Sequence, residues 1–255
     1  MTRPLFFGRP DAVRAAGPGG TFVLDGDEGR HAATVRRLGI GESIDVSDGA
    51  GSRIAGVITE VGAGTVLLSV EDAGQEPAPA HRLVLVQARA KAGRDEQAVE
   101  AATELGVDAV VPWHAERSIV RWRGDKAEKG RQKWAALAAA ASKQSRRSFV
   151  PEVLPIVDTT RLAAWAPAVD HLFVLHEDAG ESLANQIAEF RSSGNLGAST
   201  TTAVVVGPEG GISEAELDKL GAVGARTALL GPHVLRSSTA GPAALVLLNH
   251  VLGRW

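Results

Sequence analysis

Residues Val204–Leu217 read "VVVGPEGGISEAEL": an apolar run, a glycine turn and the opening of a helix. Ser213 followed three residues later by Glu216 forms a capping box, in which each side chain satisfies a free backbone N–H, so a helix is expected to begin between Ile212 and Glu214. Glycine turns between a strand and a helix often present N–H groups and the positive helix pole to an anion. Two phosphate-binding forms are excluded by spacing. A P-loop requires Lys-Ser/Thr after its last glycine, where this chain has Ile212-Ser213; a dinucleotide fingerprint requires a glycine two residues after Gly207, where it has Glu209. A carboxylate in the turn would also repel a pyrophosphate. What remains is a tight turn with no ligand, or a turn that holds something else.

Working outward, strands and helices alternate. Continuous apolar runs at Leu83–Ala88, Val107–Pro112, His171–Leu175 and Arg226–Leu230 are expected strands, and Arg94–Leu105, Asp125–Arg147, Glu181–Phe190 and Thr239–Gly253 expected helices, with a loop at Ser192–Thr202. That order implies a parallel sheet covered on both faces, with ligands at the carboxyl ends of its strands. Two of those ends look alike, since "VVVGPEGG" and "ALLGPHVLRSS" both run from apolar residues into Gly-Pro. A ligand between them meets backbone amides, apolar walls and few charges, which suits an adenosine without phosphates.

Residues Thr21–Asp72 differ in kind. Short alternating runs, "TFVLDG", "SIDVSDG", "SRIAGVITEVG" and "GTVLLSVED", are separated by glycine turns, with one helical stretch around Glu28–Leu38. This is a small β-barrel or sheet domain. The proline-rich "QEPAPA" at 75–80 reads as a linker, giving domains 1–74 and 81–255.

The chain has 255 residues and no cysteine, which excludes disulfides and thiolate metal sites. No metal is expected. Neither a signal peptide nor a run of roughly 20 apolar residues is visible, so a cytoplasmic location without membrane contact is expected. The formal charge of −3 is unevenly spread: residues 81–150 carry 14 basic and 8 acidic side chains, against 7 and 11 before them and 6 and 11 after. Such a basic segment is either a solvated helix face or a footprint for a phosphate backbone.

Four separated stretches, "GPEGGIS" at Gly207–Ser213, "LLGPHVLRSST" at Leu229–Thr239, "TELGVDAVVP" at Thr103–Pro112 and "KQSRR" at Lys143–Arg147, resemble the 16S ribosomal RNA uridine N3-methyltransferases. These belong to the SPOUT class of S-adenosylmethionine-dependent enzymes. "HAATVRRLGIGESIDVSDG" at His31–Gly49 resembles that family's PUA-like RNA-binding barrel. The resemblance implies an α/β SPOUT domain with a trefoil knot near the C-terminus, preceded by the barrel, together with bound S-adenosyl-L-methionine, a homodimer, and 16S rRNA of the small ribosomal subunit as substrate. Arg236-Ser237-Ser238-Thr239 stands where the family usually has Arg-Thr-Glu-Thr, so no role of that glutamate carries over. Lys143-Gln144-Ser145-Arg146-Arg147 replaces Glu-Gln-Ser/Cys-Gly-Arg and adds positive charge.

Arg236 is the candidate catalytic residue, stabilising uracil oxygens as negative charge develops; the alternative is an arginine paired with a carboxylate across the dimer. The resemblance implies Leu175, His176, Gly207, Pro208, Glu209, Gly210, Leu230, Gly231, Leu235, Arg236 and Thr239 at the cofactor. Glu209 either contacts that cofactor or caps the following helix. No strong base for the uracil proton stands out in the sequence: His176 and Glu177 lie at a strand end, and Glu209 lies in the glycine turn. Arg37, expected on the front-domain helix, with Arg89, Lys91, Arg94, Arg146 and Arg147, are candidate RNA contacts; the last two alternatively cap a helix C-terminus. The last helix is apolar nearly all round, so either the core or a second copy of the chain surrounds it. Competing functions are a barrel with a degenerate knot that binds RNA without methylating it, and a SPOUT enzyme acting on transfer RNA or on a ribose hydroxyl.

Overall fold

The structure, a computed structural model, describes residues 3–120, 122, 124–192 and 197–255. Residues 193–196 of the expected loop lie outside the described residues. The chain folds as two compact units, residues 1–78 with 142–150, and residues 79–141 with 151–255.

The first unit holds strands β1 (Leu5–Phe7), β2 (Thr21–Leu24), β3 (Ser43–Ser47), β4 (Ser52–Val61) and β5 (Val66–Gln75), with helices α1 (Pro10–Ala15) and α2 (Gly26–Arg30). The sheet order is β1-β3-β4-β5-β2, antiparallel except for the β1–β3 pair. Register shifts between β4 and β5 at Ala55/Gly56 and Ile58/Glu60 bend these long strands and curl the sheet. Alternate residues Ile44, Val46, Ile54, Ile58, Val66 and Leu68 fill its interior. At the β3–β4 turn the Asp48 carboxylate accepts the N–H groups of Ala50 (2.7 Å) and Ser52 (3.0 Å). Burial alone would raise its pKa, but these donors and Arg14 outweigh burial and hold it below the usual carboxylate value.

Two expectations change here. A π-helical turn, His31–Val35, continues α2, and the helical stretch ends there rather than at Leu38. Arg37 therefore lies past the helix, in a left-handed conformation with φ +54°. Segment 142–150 was assigned to the second domain by sequence, yet it packs on the first unit. Ser148 C=O accepts from Ser47 Oγ (2.9 Å) and Gly51 N–H (3.1 Å), and Val150 N–H reaches Gly49 C=O (2.9 Å). Lys143 Nζ also pairs with Glu28 at 2.6 Å.

The second unit is built on a parallel sheet: β6 (His81–Ala88), β7 (Ala109–His114), β8 (Glu152–Val153), β9 (Val157–Asp158), β10 (His171–Leu175), β11 (Thr200–Val206) and β12 (Arg226–Ala228). Its order is β12-β10-β11-β6-β7-β8, with β9 also on β7. Helices are α3 (Arg94–Glu104), α4 (Asp125–Ser145), α5 (Thr159–Trp165), α6 (Leu183–Ser192), α7 (Glu214–Gly221) and α8 (Ser237–Val251). One face packs Leu83, Leu85, Val204 and Val206 against Trp134, Ile187, Leu245 and Leu248 of α4, α6 and α8. The other packs Val84, Val86, Ala203 and Val205 against Leu162 of α5 and Leu220 of α7. Strands covered on both faces need apolar residues at every position, hence the unbroken runs in β6 and β11. The expected α/β sheet preceded by a small β domain is observed.

Helix α4 stops at Ser145, not Arg147. Arg146 takes the left-handed conformation (φ +58°), its N–H donates to Lys143 C=O (3.2 Å), and Arg147 N–H donates to Ser142 C=O (2.9 Å). This is the double-bonded Schellman ending, with arginine where glycine is favoured.

Candidate functional site

Because β12, β10 and β11 are parallel neighbours, the loops that follow them gather at one sheet edge. Residues 176–178, 207–212 and 229–236 enclose a cavity of about 730 Å³, inside the range of roughly 300–1,000 Å³ that small-molecule sites occupy. Leu175, Val206, Ile212, Leu217, Leu230 and Leu235 supply apolar wall.

The turn after β11 is shaped by its own packing. A Cβ on Gly207 would fall 2.7 Å from Ile212 Cγ1, and Gly211 sits at φ +75°, where side chains are strained. Gly231, in the turn after β12, differs, because a Cβ there would meet nothing within 4 Å and would project into open space. The expected capping box is present: Ser213 N–H donates to Glu216 Oε2 (3.2 Å) and Glu216 N–H to Ser213 Oγ (3.3 Å). It is larger than the sequence suggests. Buried Glu216 also accepts Glu116 N–H (2.9 Å) and Thr159 Oγ1–H (2.6 Å), which ties the start of α7 to the loop after β7 and to the first residue of α5.

Ten of the eleven residues expected at the cofactor line this cavity: Leu175, His176, Gly207, Pro208, Glu209, Gly210, Leu230, Gly231, Leu235 and Arg236. Thr239 does not; it is exposed in the third position of α8. Glu209 does not cap the following helix, whose N-cap is Ser213. Its Oε1 accepts Lys91 N–H (3.1 Å) and Arg94 Nη1–H (3.2 Å), binding the turn to the segment after β6. His176 N–H donates to Ala228 C=O (3.1 Å), and its Nδ1 accepts Asp178 N–H (3.3 Å). Arg236 is exposed at the N-cap of α8, and its guanidinium has no ion-pair partner among the described residues.

The arginines expected at RNA separate into two kinds. Arg89 is corrected: it is buried, pairs with Asp95, and lies over the rings of Trp122 (4.0 Å) and Trp134 (5.3 Å). An arginine so enclosed cannot meet a phosphate, and burial pushes its pKa down to about 10. Arg94 is half-exposed but engaged by Glu209. Lys91, Arg37 and Arg146 present exposed side chains, and Arg147 is partly buried.

Among the cavity residues not expected from the sequence are two whose polar groups bear on the site. Arg117, from the loop after β7, donates to Gly210 C=O at 3.2 Å; its only signal is the strand order, which no local pattern reveals. Ser237 forms part of the wall at the first position of α8, and its hydroxyl has no hydrogen-bond partner among the described residues. The sequence places the start of this helix at Thr239, two residues later than it begins, so Ser237 falls in the expected loop.

With this geometry in place, comparisons with known proteins are specific. Residues 76–249 match the RNA methyltransferase domain, and residues 24–71 the RNA methyltransferase PUA domain. A ribosomal RNA small subunit methyltransferase E of Mycobacterium bovis is 38% identical over 93% of this chain and 89% of its own length. Its namesake in Bacillus subtilis is 28% identical over 90% of each chain. Among solved structures, a ribosomal RNA small subunit methyltransferase E from Neisseria gonorrhoeae, bound to S-adenosyl methionine, superimposes with a TM-score of 0.82 at 25% identity, covering 98% of both chains. The chain therefore belongs to the RNA methyltransferase family that includes the ribosomal RNA small subunit methyltransferases E, with that family's PUA domain ahead of its methyltransferase domain.

Proposed function

We propose that this protein is an S-adenosylmethionine-dependent methyltransferase that modifies N3 of one uridine in 16S rRNA of the small ribosomal subunit. The observation that carries the proposal is the cavity at the ends of β10, β11 and β12, with unpaired Arg236 on its wall. The residues present fit the cofactor. Leu175, Leu230 and Leu235 offer apolar surface, and Gly231 leaves open the space that any side chain would fill. Bound there, S-adenosylmethionine supplies an electrophilic methyl group on a sulfonium.

The chain's own residues have three tasks. They hold the uracil in line with that methyl, since positioning supplies much of the rate. They stabilise the negative charge that spreads to the ring oxygens as N3 loses its proton, which falls to the Arg236 guanidinium. They also direct the proton away, for which His176 and Glu177 on the cavity wall are available. A uridine must leave its stack to reach such a cavity. Exposed Lys91, Arg37 and Arg146 are the candidates for contact with RNA phosphates.

The same reading includes a knotted path near the C-terminus and a homodimer. Helix α8 supports the dimer, because it buries Ala240, Ala244, Leu245 and Leu248 yet leaves Val246 41% exposed. A monomer in sedimentation at micromolar concentration would contradict it.

The function is tested by incubating the protein with methyl-labelled S-adenosylmethionine and small subunits lacking the modification, then mapping labelled nucleotides by mass spectrometry. Label on N3 of a single 16S uridine is expected. Label on another nucleotide would replace the substrate, and absence of both label and cofactor binding would leave an RNA-binding protein. Arg236→Lys should lower turnover at least tenfold; full turnover would remove Arg236 from its role.

A further inference from the structure

Two helices begin at the cavity, and they begin differently. Helix α7 closes its own N-terminus through the Ser213–Glu216 box. Helix α8, 15 residues long, does not. Its N-cap is Arg236, whose side chain cannot accept a hydrogen bond, and its first turn contains no acidic residue. Arg236 C=O takes the N–H groups of Thr239 (2.8 Å) and Ala240 (2.9 Å). No acceptor among the described residues reaches the N–H of Ser237 or Ser238.

Ser237 adds an independent observation. It is only 8% exposed, it belongs to the cavity wall, and its Oγ has no hydrogen-bond partner among the described residues. A buried hydroxyl normally has a partner, and leaving one without costs more than an average hydrogen bond returns. The other cations on the wall are engaged, Arg94 by Glu209 and Arg117 by Gly210 C=O. Unpaired donors, a positive helix pole and an unpaired guanidinium thus converge on one place.

We infer that the first turn of α8 is a binding site for an anionic oxygen, held by the Ser237 hydroxyl and the N–H groups of Ser237 and Ser238, with Arg236 beside them. The identity of that oxygen rests on the methyltransferase reading. It is either the carboxylate of the cofactor's methionyl portion or a ring oxygen of deprotonated uracil, two sources of the same delocalised charge. Ser237 is then a binding residue that acts together with Arg236.

Three variants test this. Ser237→Ala removes the hydroxyl, Ser237→Thr restores it, and Ser237→Pro removes hydroxyl and N–H while keeping a residue suited to the first helical position. Thermal melting establishes that each is folded. Calorimetry then measures affinity for S-adenosylhomocysteine and for 5′-methylthioadenosine, which lacks the carboxylate, and single-turnover methyl transfer is measured on small subunits. A carboxylate site predicts about tenfold weaker S-adenosylhomocysteine binding in Ser237→Ala, methylthioadenosine binding within twofold, and a larger loss in Ser237→Pro. A uracil site predicts both affinities within twofold and single-turnover transfer slowed about tenfold, with recovery in Ser237→Thr. The inference is overturned if Ala and Pro variants match the wild type in all three measurements, or if both nucleosides lose affinity equally. Product mapping with the wild type keeps the two readings apart, because label outside uracil N3 would dismiss the proposed substrate while the two-nucleoside comparison still decides the site.

Discussion

Gly207 and Gly231 occupy equivalent Gly-Pro turns, yet their surroundings separate them. An added methyl at Gly207 must displace Ile212, whose Cγ1 would lie 2.7 Å away, whereas at Gly231 it enters open cavity. Gly207→Ala should therefore lose about 1–3 kcal/mol of stability through overpacking, while Gly231→Ala should stay within about 0.5 kcal/mol and bind S-adenosylhomocysteine more weakly. Denaturant titration and calorimetry on both variants check the pair; equal stability losses would contradict it. Arg89 illustrates the same dependence on surroundings. Its exchange for alanine would strand Asp95, 1% exposed, without its cation, at a cost of about 3–5 kcal/mol. Urea unfolding of Arg89→Ala measures that cost, and a loss below 1 kcal/mol would return Arg89 to the list of RNA contacts.

At the scale of elements, α7 starts where its own N-cap, the loop after β7 and the start of α5 meet at one carboxylate. Glu216 accepts Ser213 N–H, Glu116 N–H and Thr159 Oγ1–H, so Glu216→Ala should cost about 2–3 kcal/mol, more than loss of a simple cap. The same change should weaken cofactor binding, since the turn at 207–212 is anchored there. Next to the edge strand β12, β10 begins with His171, which stacks on Phe190 (4.4 Å between centroids) and whose buried Nε2 has no hydrogen-bond partner among the described residues. Burial chiefly, and Arg226 further, lower its pKa below 6.5, with Asp170 opposing. The unfolded chain then takes up the proton first. This histidine's effect is absent above about pH 6.5, and stability falls as pH drops below it, by at most about 1.4 kcal/mol per pH unit, until the folded pKa is passed. His171→Phe should remove that part of the decline in urea midpoint between pH 7 and pH 5, and an unchanged profile would refute the assignment.

On the scale of the whole molecule, the basic segment 81–150 does not survive as one footprint. Lys143, Arg146 and Arg147 join the first unit, bringing it to ten basic against eleven acidic side chains. Arg89, Arg94, Arg131, Lys133 and Lys143 are held in ion pairs. Exposed Lys91 and Arg146 are better candidates for phosphate contact, and replacing each by alanine should flatten the slope of log affinity against log salt by about 0.7–0.9. Filter binding to small-subunit RNA from 50 to 200 mM salt reads that slope, and parallel lines would remove both residues from the interface. The sequence by itself determined the alternation of strands and helices that makes the parallel sheet, the cap of α7 at Ser213 and the two Gly-Pro turns at one sheet edge, but not β1, α1, β8, β9 or α5. The features it determined follow from periodicity, capping and glycine geometry, which act within a few residues. Only the tertiary structure decided that Arg89 is buried on Trp122 and Trp134, that Glu209 reaches Lys91 and Arg94, that 142–150 packs on the first unit, and that α8 meets the cavity uncapped. Those outcomes depend on partners up to about a hundred residues apart, brought together by sheet order, and no local pattern encodes which of several nearby charges a side chain will meet.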